Sequence, residues 1–441
     1  MREIWLSAGC EMFKSRAAAV PGPRRITAVK TSSCRARMPL QDRLAEPSFW
    51  SFGRARARAT IASEQSEGRD AVIIIGGGLM GTAAAFFLTR RGAKAALIER
   101  APRRPARPPP SRASATSAAR AATCRNCPRH RSRARRATST ASSAATSSSA
   151  PPATSVIFDA AALADMRAFA AAAPWGLAID ELAPAEIRAR FPGLGPDAIA
   201  ASFSPEDGSA NPRLIAPAFA ARAAAEGAEI VENCAVTGIT ARDGFAVEGT
   251  AGRFSADVLL NAAGAWGARI AADFGEPVPL AAHGPQMGVT EPLPHRILPV
   301  VGVWAREKER SVYLRQVERG NVVFGGGARV PVALDPGHAA VDPALTRSQS
   351  RWLLRLCPAL ASATVIRTWS GCEGYLSDML PVMGPSGTTP GLFHAFGFCG
   401  HGFQLGPAVG DAMAELIATG ACQTPLADFD IKRFGLGMDA N

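Results

Sequence analysis

The stretch Ala71-Val-Ile-Ile-Ile75-Gly76-Gly-Gly78-Leu-Met-Gly81-Thr82 limits what this chain can fold into more than any other. Ala71–Ile75 is short, apolar and rich in β-branched residues, as a parallel strand buried on both faces requires. Gly76, Gly78 and Gly81 then give G-x-G-x-x-G at the strand's end. The first glycine permits a tight turn. The second lets backbone approach a pyrophosphate, and the third lets the next helix lie close to the strand. Thr82–Arg91 carries helical spacing, with Ala83, Ala84, Phe87 and Leu88 inward and Gly92 just past the end. The amides and positive dipole end of such a helix suit two phosphate charges. Ala95–Ile98 reads as a second strand, closed by Glu99, 23 residues after Gly76. A carboxylate there accepts both hydroxyls of an adenosine ribose and repels a 2′-phosphate. Strand, glycines, helix, strand and acid in this order point to a bound dinucleotide, with FAD and NAD both open.

A chain of 441 residues, 47% hydrophobic, is long enough for two domains with proper cores. Its net charge of +12 conceals a split. Residues 1–155 hold 28 Lys+Arg against 8 Asp+Glu, and the remainder 21 against 29. The folded body is therefore mildly acidic, and the basic excess sits in stretches of unfolded composition, so it argues for no nucleic-acid partner. Nine scattered cysteines show no disulfide framework and fit a reducing cytoplasm. Cys124-Arg-Asn-Cys127 with His130 lacks the second ligand pair of a structural zinc site, so no metal is expected. No run of 18 apolar residues exists to span a membrane.

Residues 1–69 have no sustained periodicity and read as a disordered extension. The stretch 101–155 is nearly all Ala, Arg, Ser, Pro and Thr, with no acid, and no strand or amphipathic helix can be drawn through it. A shifted reading frame in a GC-rich gene would give this alphabet, and so would a true disordered insertion. Ordinary protein resumes at Val156. Helices are expected at Asp159–Ala173, Pro184–Phe191, from Pro212 to Glu226, and at Pro343–Leu356. Asp207-Gly208 to Pro212 reads as a turn. Glu229–Thr240 and Asp257–Asn261 read as strands, the second ending in Asn261-Ala-Ala-Gly264-Ala-Trp266. Residues 281–365 alternate like an antiparallel sheet, with strands at Gln286–Thr290, Ser311–Gln316 and Asn321–Phe324. Gly391–Gly397 is a further strand, after which Gly400-His-Gly402-Phe-Gln-Leu-Gly406 opens a helix through Leu416.

Together the fingerprint with Glu99, the Asn261–Trp266 turn and Gly397-Phe-Cys-Gly400-His-Gly402-Phe-Gln-Leu-Gly406 resemble the D-amino-acid oxidase (DAO) family of flavoproteins, nearest the glycine oxidase and sarcosine oxidase β-subunit type. The resemblance implies an α/β fold: a Rossmann-like, glutathione-reductase-like FAD-binding domain interleaved with a substrate domain on a mostly antiparallel sheet. The first is expected at 70–100, 205–270 and 364–435, the second at 156–204 and 271–363. The resemblance also implies FAD rather than NAD. Gly76, Gly78, Leu79, Met80, Gly81, Glu99 and Arg100 would hold the ADP half. Val236, at the end of its strand, would meet the adenine, and Ala263, Gly264 and Trp266 would lie near the pyrophosphate. Gly400, His401, Gly402, Phe403 and Gln404 would set a helix N-terminus at the N1–C2=O edge of the flavin. Reduced flavin is anionic at that edge, so aimed amides stabilise it.

The implied reaction oxidises a C–N bond by hydride transfer from an amino acid or secondary amine to flavin N5, which needs alignment more than a nucleophile or metal. Oxygen, a quinone or a partner subunit would take the electrons. The alternatives are a non-catalytic flavoprotein subunit and a defective gene product. Two departures stand out. The segment that follows the second strand in the family is replaced by 101–155. In Trp369-Ser-Gly371-Cys372-Glu373-Gly-Tyr375 an acid stands where many members carry the arginine that binds the substrate carboxylate. Tyr313 and Tyr375 are the only tyrosines in the chain. Tyr313 and Arg315, two apart on a strand, share a face. Arg315 is the candidate partner for a substrate carboxylate, supported by Tyr313 or Tyr375. Glu373 is a candidate for greeting a cationic group, and Cys372 and Cys399 for a flavin thioether.

Overall fold

The structure, a computed structural model, describes residues 71–101, 153–172, 179–205, 210–294, 296–297, 300–335 and 337–435. The readings of 1–69, of most of 101–155, of the Cys124–His130 cluster and of the turn at Asp207 lie outside these residues. The chain opens with strand β1 (Val72–Ile75), helix α1 (Leu79–Thr89) and strand β2 (Ala95–Ile98). It continues through β3 (Ala153–Ile157), α2 (Ala160–Ala172), β4 (Asp180–Leu182), α3 (Pro184–Arg190), β5 (Ala200–Ser204), α4 (Pro212–Ala225) and β6 (Glu229–Val231). Then come β7 (Val236–Ala241), β8 (Phe245–Gly249), β9 (Gly252–Ala256), β10 (Val258–Asn261), α5 (Gly267–Asp273), β11 (Ala281–Pro292) and β12 (Val300–Val303). The last are β13 (Val312–Gln316), β14 (Asn321–Pro331), α6 (Pro343–Leu356), β15 (Val365–Ser370), β16 (Glu373–Tyr375), β17 (Val382–Pro385), β18 (Leu392–Phe396) and α7 (Gly402–Thr419).

Among the described residues the strands form three sheets. The first has the order β17-β18-β10-β1-β2-β6 and is parallel except for the edge pair β17–β18. Every residue of β1, β2 and β10 is buried, which is why these strands are continuously apolar rather than alternating. Ile75 pairs with Ile98 on one side and Asn261 on the other. That register brings three strand ends to one edge, so the glycine turn, Glu99 and the Asn261–Trp266 turn stand side by side.

The second sheet runs β15-β11-β14-β13-β12-β3-β5-β4, with β16 also on β11, and is antiparallel except where β3 meets β12. Its two faces differ. Val312, Leu314, Val322 and Phe324 face a core shared with Leu353 and Leu356 of α6. Tyr313 packs on the other face, with Met287, Val289 and Val323. Asp342 caps α6 by accepting from the Ala344 amide at 2.7 Å, and Pro343 occupies its first turn, so this helix has the bounds its sequence predicts.

The structure corrects four expectations. Glu229–Thr240 is two strands in different sheets, because Asn233 takes a left-handed conformation (φ 57°) and the Cys234 amide turns back to the Glu99 carbonyl. Val236 therefore begins a strand instead of ending one. Ala153–Ser155, placed in the structureless stretch, belongs to β3, held by Val300–Gly302 and Ser202–Ser204 on either side. Val365–Tyr375, assigned to the dinucleotide domain, pairs instead with β11 of the antiparallel sheet. Helices α1 and α7 begin at Leu79 and Gly402 rather than at Thr82 and Gly400.

Candidate functional site

Two of the three fingerprint glycines are required by contact, and the third keeps a space open. At Gly76 (φ 110°) an added Cβ would lie 2.4 Å from the Ala262 carbonyl oxygen, and at Gly81 it would lie 2.0 Å from that of Gly76. A Cβ at Gly78 would meet no atom within 4 Å. The space above Gly78 therefore stays open where α1 begins. That end has no side-chain cap and no acid in its first turn, so its amides are left for an anion. Glu99 accepts from the Gly77 amide at 2.6 Å and from the Ala101 amide at 2.8 Å, which fixes the carboxylate at the mouth of the turn. Gly77, not among the predicted residues, is needed for this, because its Cβ would meet that of Glu99 at 2.8 Å. Val236 packs on the cluster containing Ile75 and Ile98.

Helix α7 meets the same edge. A Cβ on Gly402 would lie 3.3 Å from Met80 Cε, one on Gly406 2.4 Å from Leu79 Cγ, and one on Gly410 2.4 Å from Ala83 Cβ. Glycines at four-residue intervals thus let α7 lie directly on α1, and the two helix N-termini adjoin. Phe403 packs on the core cluster that Leu79 and Met80 also cover, and Gln404 is half-buried beside it. The start of α7 also lacks a side-chain cap and a first-turn acid. Gly400 (φ 85°) and Cys399 (φ 52°) turn the chain into it. His401 Nδ1 is buried with no hydrogen-bond partner. Burial, and then the charge of Arg329, pushes this imidazole down to about 4, so it is neutral near pH 7. Two adjoining helix ends without side-chain caps, an open glycine and an acid held at the mouth of the turn fit FAD.

Gly264 (φ 59°) is exposed and open, and Ala263 donates its amide to Asn261 Oδ1 at 3.3 Å. Trp266 ties the turn after β10 to the stretch after β14. Its Nε1 donates to the Leu334 carbonyl at 3.2 Å, and the Arg100 guanidinium lies 3.8 Å from its ring centroid. Arg100 is thus placed on Trp266 and not on the fingerprint turn.

The substrate-side residues form a second group. Tyr313 donates to Met287 Sδ at 3.3 Å. Burial, and then the charge of Glu373, pushes the Tyr313 hydroxyl up, while Arg315 opposes this. Arg315 is buried, and burial lowers its guanidinium from the ordinary value. Tyr375 donates to the Glu373 carboxylate. Arg329, which no sequence pattern singled out, lies 4.6 Å from the Tyr375 ring centroid, and its charge is felt by Tyr375 and His401 alike. Glu373 thus has a tyrosine partner inside the protein, and Arg329 links the antiparallel sheet to the start of α7. Cys399 Sγ accepts from the Leu376 amide and donates to the Gly397 carbonyl, and burial pushes its thiol up to about 11. Burial also raises Cys372. Neither carries the thiolate that a thioether bond needs near pH 7.

The five cysteines of the described residues are all free. Among the described residues no group of three or more His, Cys, Asp or Glu could hold a metal, and no helix is long and apolar enough to cross a membrane.

A family model described as FAD dependent oxidoreductase, DAO, matches residues 71–416. The chain is 29% identical over 276 residues to the mitochondrial sarcosine dehydrogenase of Mus musculus, a match covering 59% of this chain and 30% of that protein. It is 30% identical over 230 residues to sarcosine oxidase subunit beta of Rhizobium meliloti, covering 51% of this chain and 52% of the relative. The chain thus spans only about a third to a half of these curated relatives. Among solved structures it resembles L-proline dehydrogenase from P. horikoshii, with a TM-score of 0.73 and 25% identity, covering 84% of this chain and 98% of that one.

Proposed function

The chain belongs to the DAO family of FAD-dependent oxidoreductases, and on that premise we propose that it oxidises the C–N bond of an amino acid or secondary amine of the glycine, sarcosine or proline kind. FAD, when bound, supplies the hydride acceptor. Glu99 and the turn Gly76–Gly81 hold its ADP half, with Val236 toward the adenine and Ala263 and Gly264 beside the diphosphate. Gly400–Gln404 at the start of α7 face the isoalloxazine. The observation that carries this reading is the close approach of the two helix starts, where a Cβ on Gly402 would lie 3.3 Å from Met80 Cε.

On the substrate side, Arg315 pairs with the substrate carboxylate and Tyr313 orients it. A second arrangement is favoured by the position of Arg329, whose charge reaches His401 at the start of α7. There Arg329 takes the carboxylate and the Glu373–Tyr375 pair faces the amine. Oxygen, a quinone or a partner subunit takes the electrons afterwards, and the cytoplasm is the proposed compartment.

Anaerobic addition of sarcosine, proline, glycine and D-amino acids to the holoprotein tests the proposal. At least one should abolish the visible flavin absorbance, and bleaching by none would overturn it. The arginine bound to carboxylate is then found by kinetics. Its replacement by Ala raises KM about tenfold to a hundredfold for the carboxylate substrate, since a charged hydrogen bond contributes about 1.5–3 kcal/mol. A neutral amine should be little affected. Equal effects of Arg315→Ala and Arg329→Ala on both substrates would remove the carboxylate assignment.

A further inference from the structure

Asn261, Glu276 and His394 come from the end of β10, the connection after α5, and β18, yet all three are fully buried and bonded in series. Glu276 accepts from the Ser386 hydroxyl at 2.7 Å, the Gly387 amide at 2.5 Å and His394 Nε2 at 2.9 Å. His394 Nδ1 lies 3.2 Å from Asn261 Nδ2. Asn261 Nδ2 also donates to the Gly267 carbonyl at 2.8 Å, and Asn261 Oδ1 accepts from the Ala263 amide at 3.3 Å. An amide nitrogen only donates, so His394 Nδ1 must accept and His394 Nε2 must carry the proton. Burial alone would raise Glu276, but the bonds from His394, Ser386 and Gly387 hold it below the usual carboxylate range. A carboxylate with those donors can only accept, which selects that imidazole tautomer.

The far end of this series is the diphosphate turn. Asn261 clips both ends of Ala263–Gly267, and the Ala262 carbonyl stands where a Cβ on Gly76 would come within 2.4 Å. Well-packed apolar residues often replace a buried polar cluster without loss of stability, which points to orientation rather than cohesion as the role of these three directed groups. We propose that Glu276, His394 and Asn261 act as positioning residues for FAD. Glu276 fixes the His394 tautomer, His394 offers an acceptor to Asn261, and Asn261 holds Ala262–Gly264 against the fingerprint turn at the spacing the diphosphate needs. This rests on FAD being the ligand.

The test uses two half-isosteres in the full chain. In His394→Gln the amide keeps a donor for Glu276 but leaves Asn261 Nδ2 without its acceptor. In His394→Asn the side-chain oxygen keeps an acceptor for Asn261 and gives up Glu276. The dissociation constant of FAD, followed by flavin fluorescence, should rise about tenfold in His394→Gln and stay within about threefold of wild type in His394→Asn. Tenfold corresponds to about 1.4 kcal/mol, within reach of one buried donor left unpaired. Both variants should lower the Tm of the apoprotein alike. A purely cohesive role would make affinity follow Tm, and equal affinities in the two variants would overturn the proposal. If neither folds, Ser386→Ala removes one Glu276 donor at a half-buried site. It should raise the FAD dissociation constant about twofold to threefold with only a small fall in Tm, from the Thr388 and Thr389 amides that lose their acceptor, and wild-type affinity would overturn the proposal. A wild-type chain that binds no FAD would instead overturn the cofactor assignment.

Discussion

Replacing Gly410 by Ala tests whether α7 owes its place to close contact with α1. The new carbon would lie 2.4 Å from Ala83 Cβ and 2.7 Å from both Ala83 C and Ala84 N. Carbon atoms rest about 3.5–4.0 Å apart, so the helices must part by about 1 Å. Two of the three obstacles are backbone, and no rotamer change relieves them. Overpacking of this kind costs about 1–3 kcal/mol, and a backbone obstacle belongs at the upper end. Ala in place of Gly returns about 1 kcal/mol of helix propensity, leaving a net loss of about 2 kcal/mol. At about 2–4 °C per kcal/mol, the Tm of the apoprotein should fall by about 4–8 °C. Gly406→Ala is the control. The three atoms nearest its Cβ all belong to the Leu79 side chain, at 2.4 Å for Cγ, and the Leu79 branch can turn aside. It should cost less than Gly410→Ala yet disturb FAD binding more, because Leu79 opens α1. Thermal unfolding of both apoproteins and FAD titration of each decide the matter. A Gly410→Ala protein as stable as wild type would refute the contact, and a larger Tm loss in Gly406→Ala would refute the distinction between backbone and side-chain obstacles.

Other outcomes follow from the same geometry. Glu99→Gln sets an amide donor against the half-buried Gly77 amide or the exposed Ala101 amide, so FAD affinity should fall about threefold to tenfold by titration. His401 sits near 4 when folded against about 6.5 when unfolded. Only the unfolded chain gains this proton as the pH falls from 6.5 to 4, so stability declines across that window. His401→Gln should lose less stability than wild type between pH 6.5 and 4 in urea unfolding. Iodoacetamide at pH 8 should leave Cys399 unlabelled in the native protein and label it in urea, because burial holds the thiol near 11.

The βαβ unit and its glycines are legible in the sequence because their constraints are local. Strand, turn, helix and acid lie within 30 residues, and each glycine meets an obstacle or opening close in sequence or at the neighbouring strand end. Helix α6 is legible for the same reason, having its own cap in Asp342 and Pro343. What escaped depends on distant pairing. Ala153–Ser155 looks structureless because Ala, Thr and Ser carry no apolar alternation, and its strand is made by Val300–Gly302 beside it. Arg329 gains its place because β14 and β16 both pair with β11, which brings it to the Tyr375 ring, and nothing in its neighbourhood along the chain marks it. Glu276 and His394 lie 118 residues apart and look like ordinary surface residues until β10 and β18 pair. Trp266 is expected near the pyrophosphate, but its indole nitrogen finds Leu334, which no local pattern connects to it.

The central claim is that the starts of α1 and α7 serve two halves of one ligand. Calorimetric titration of the apoprotein with FAD, ADP and riboflavin tests it most directly. One FAD should bind per chain, more tightly than ADP or riboflavin, and ADP should compete with it. FAD that binds no better than ADP, or that ADP fails to displace, would mean that the two helix ends do not share a ligand.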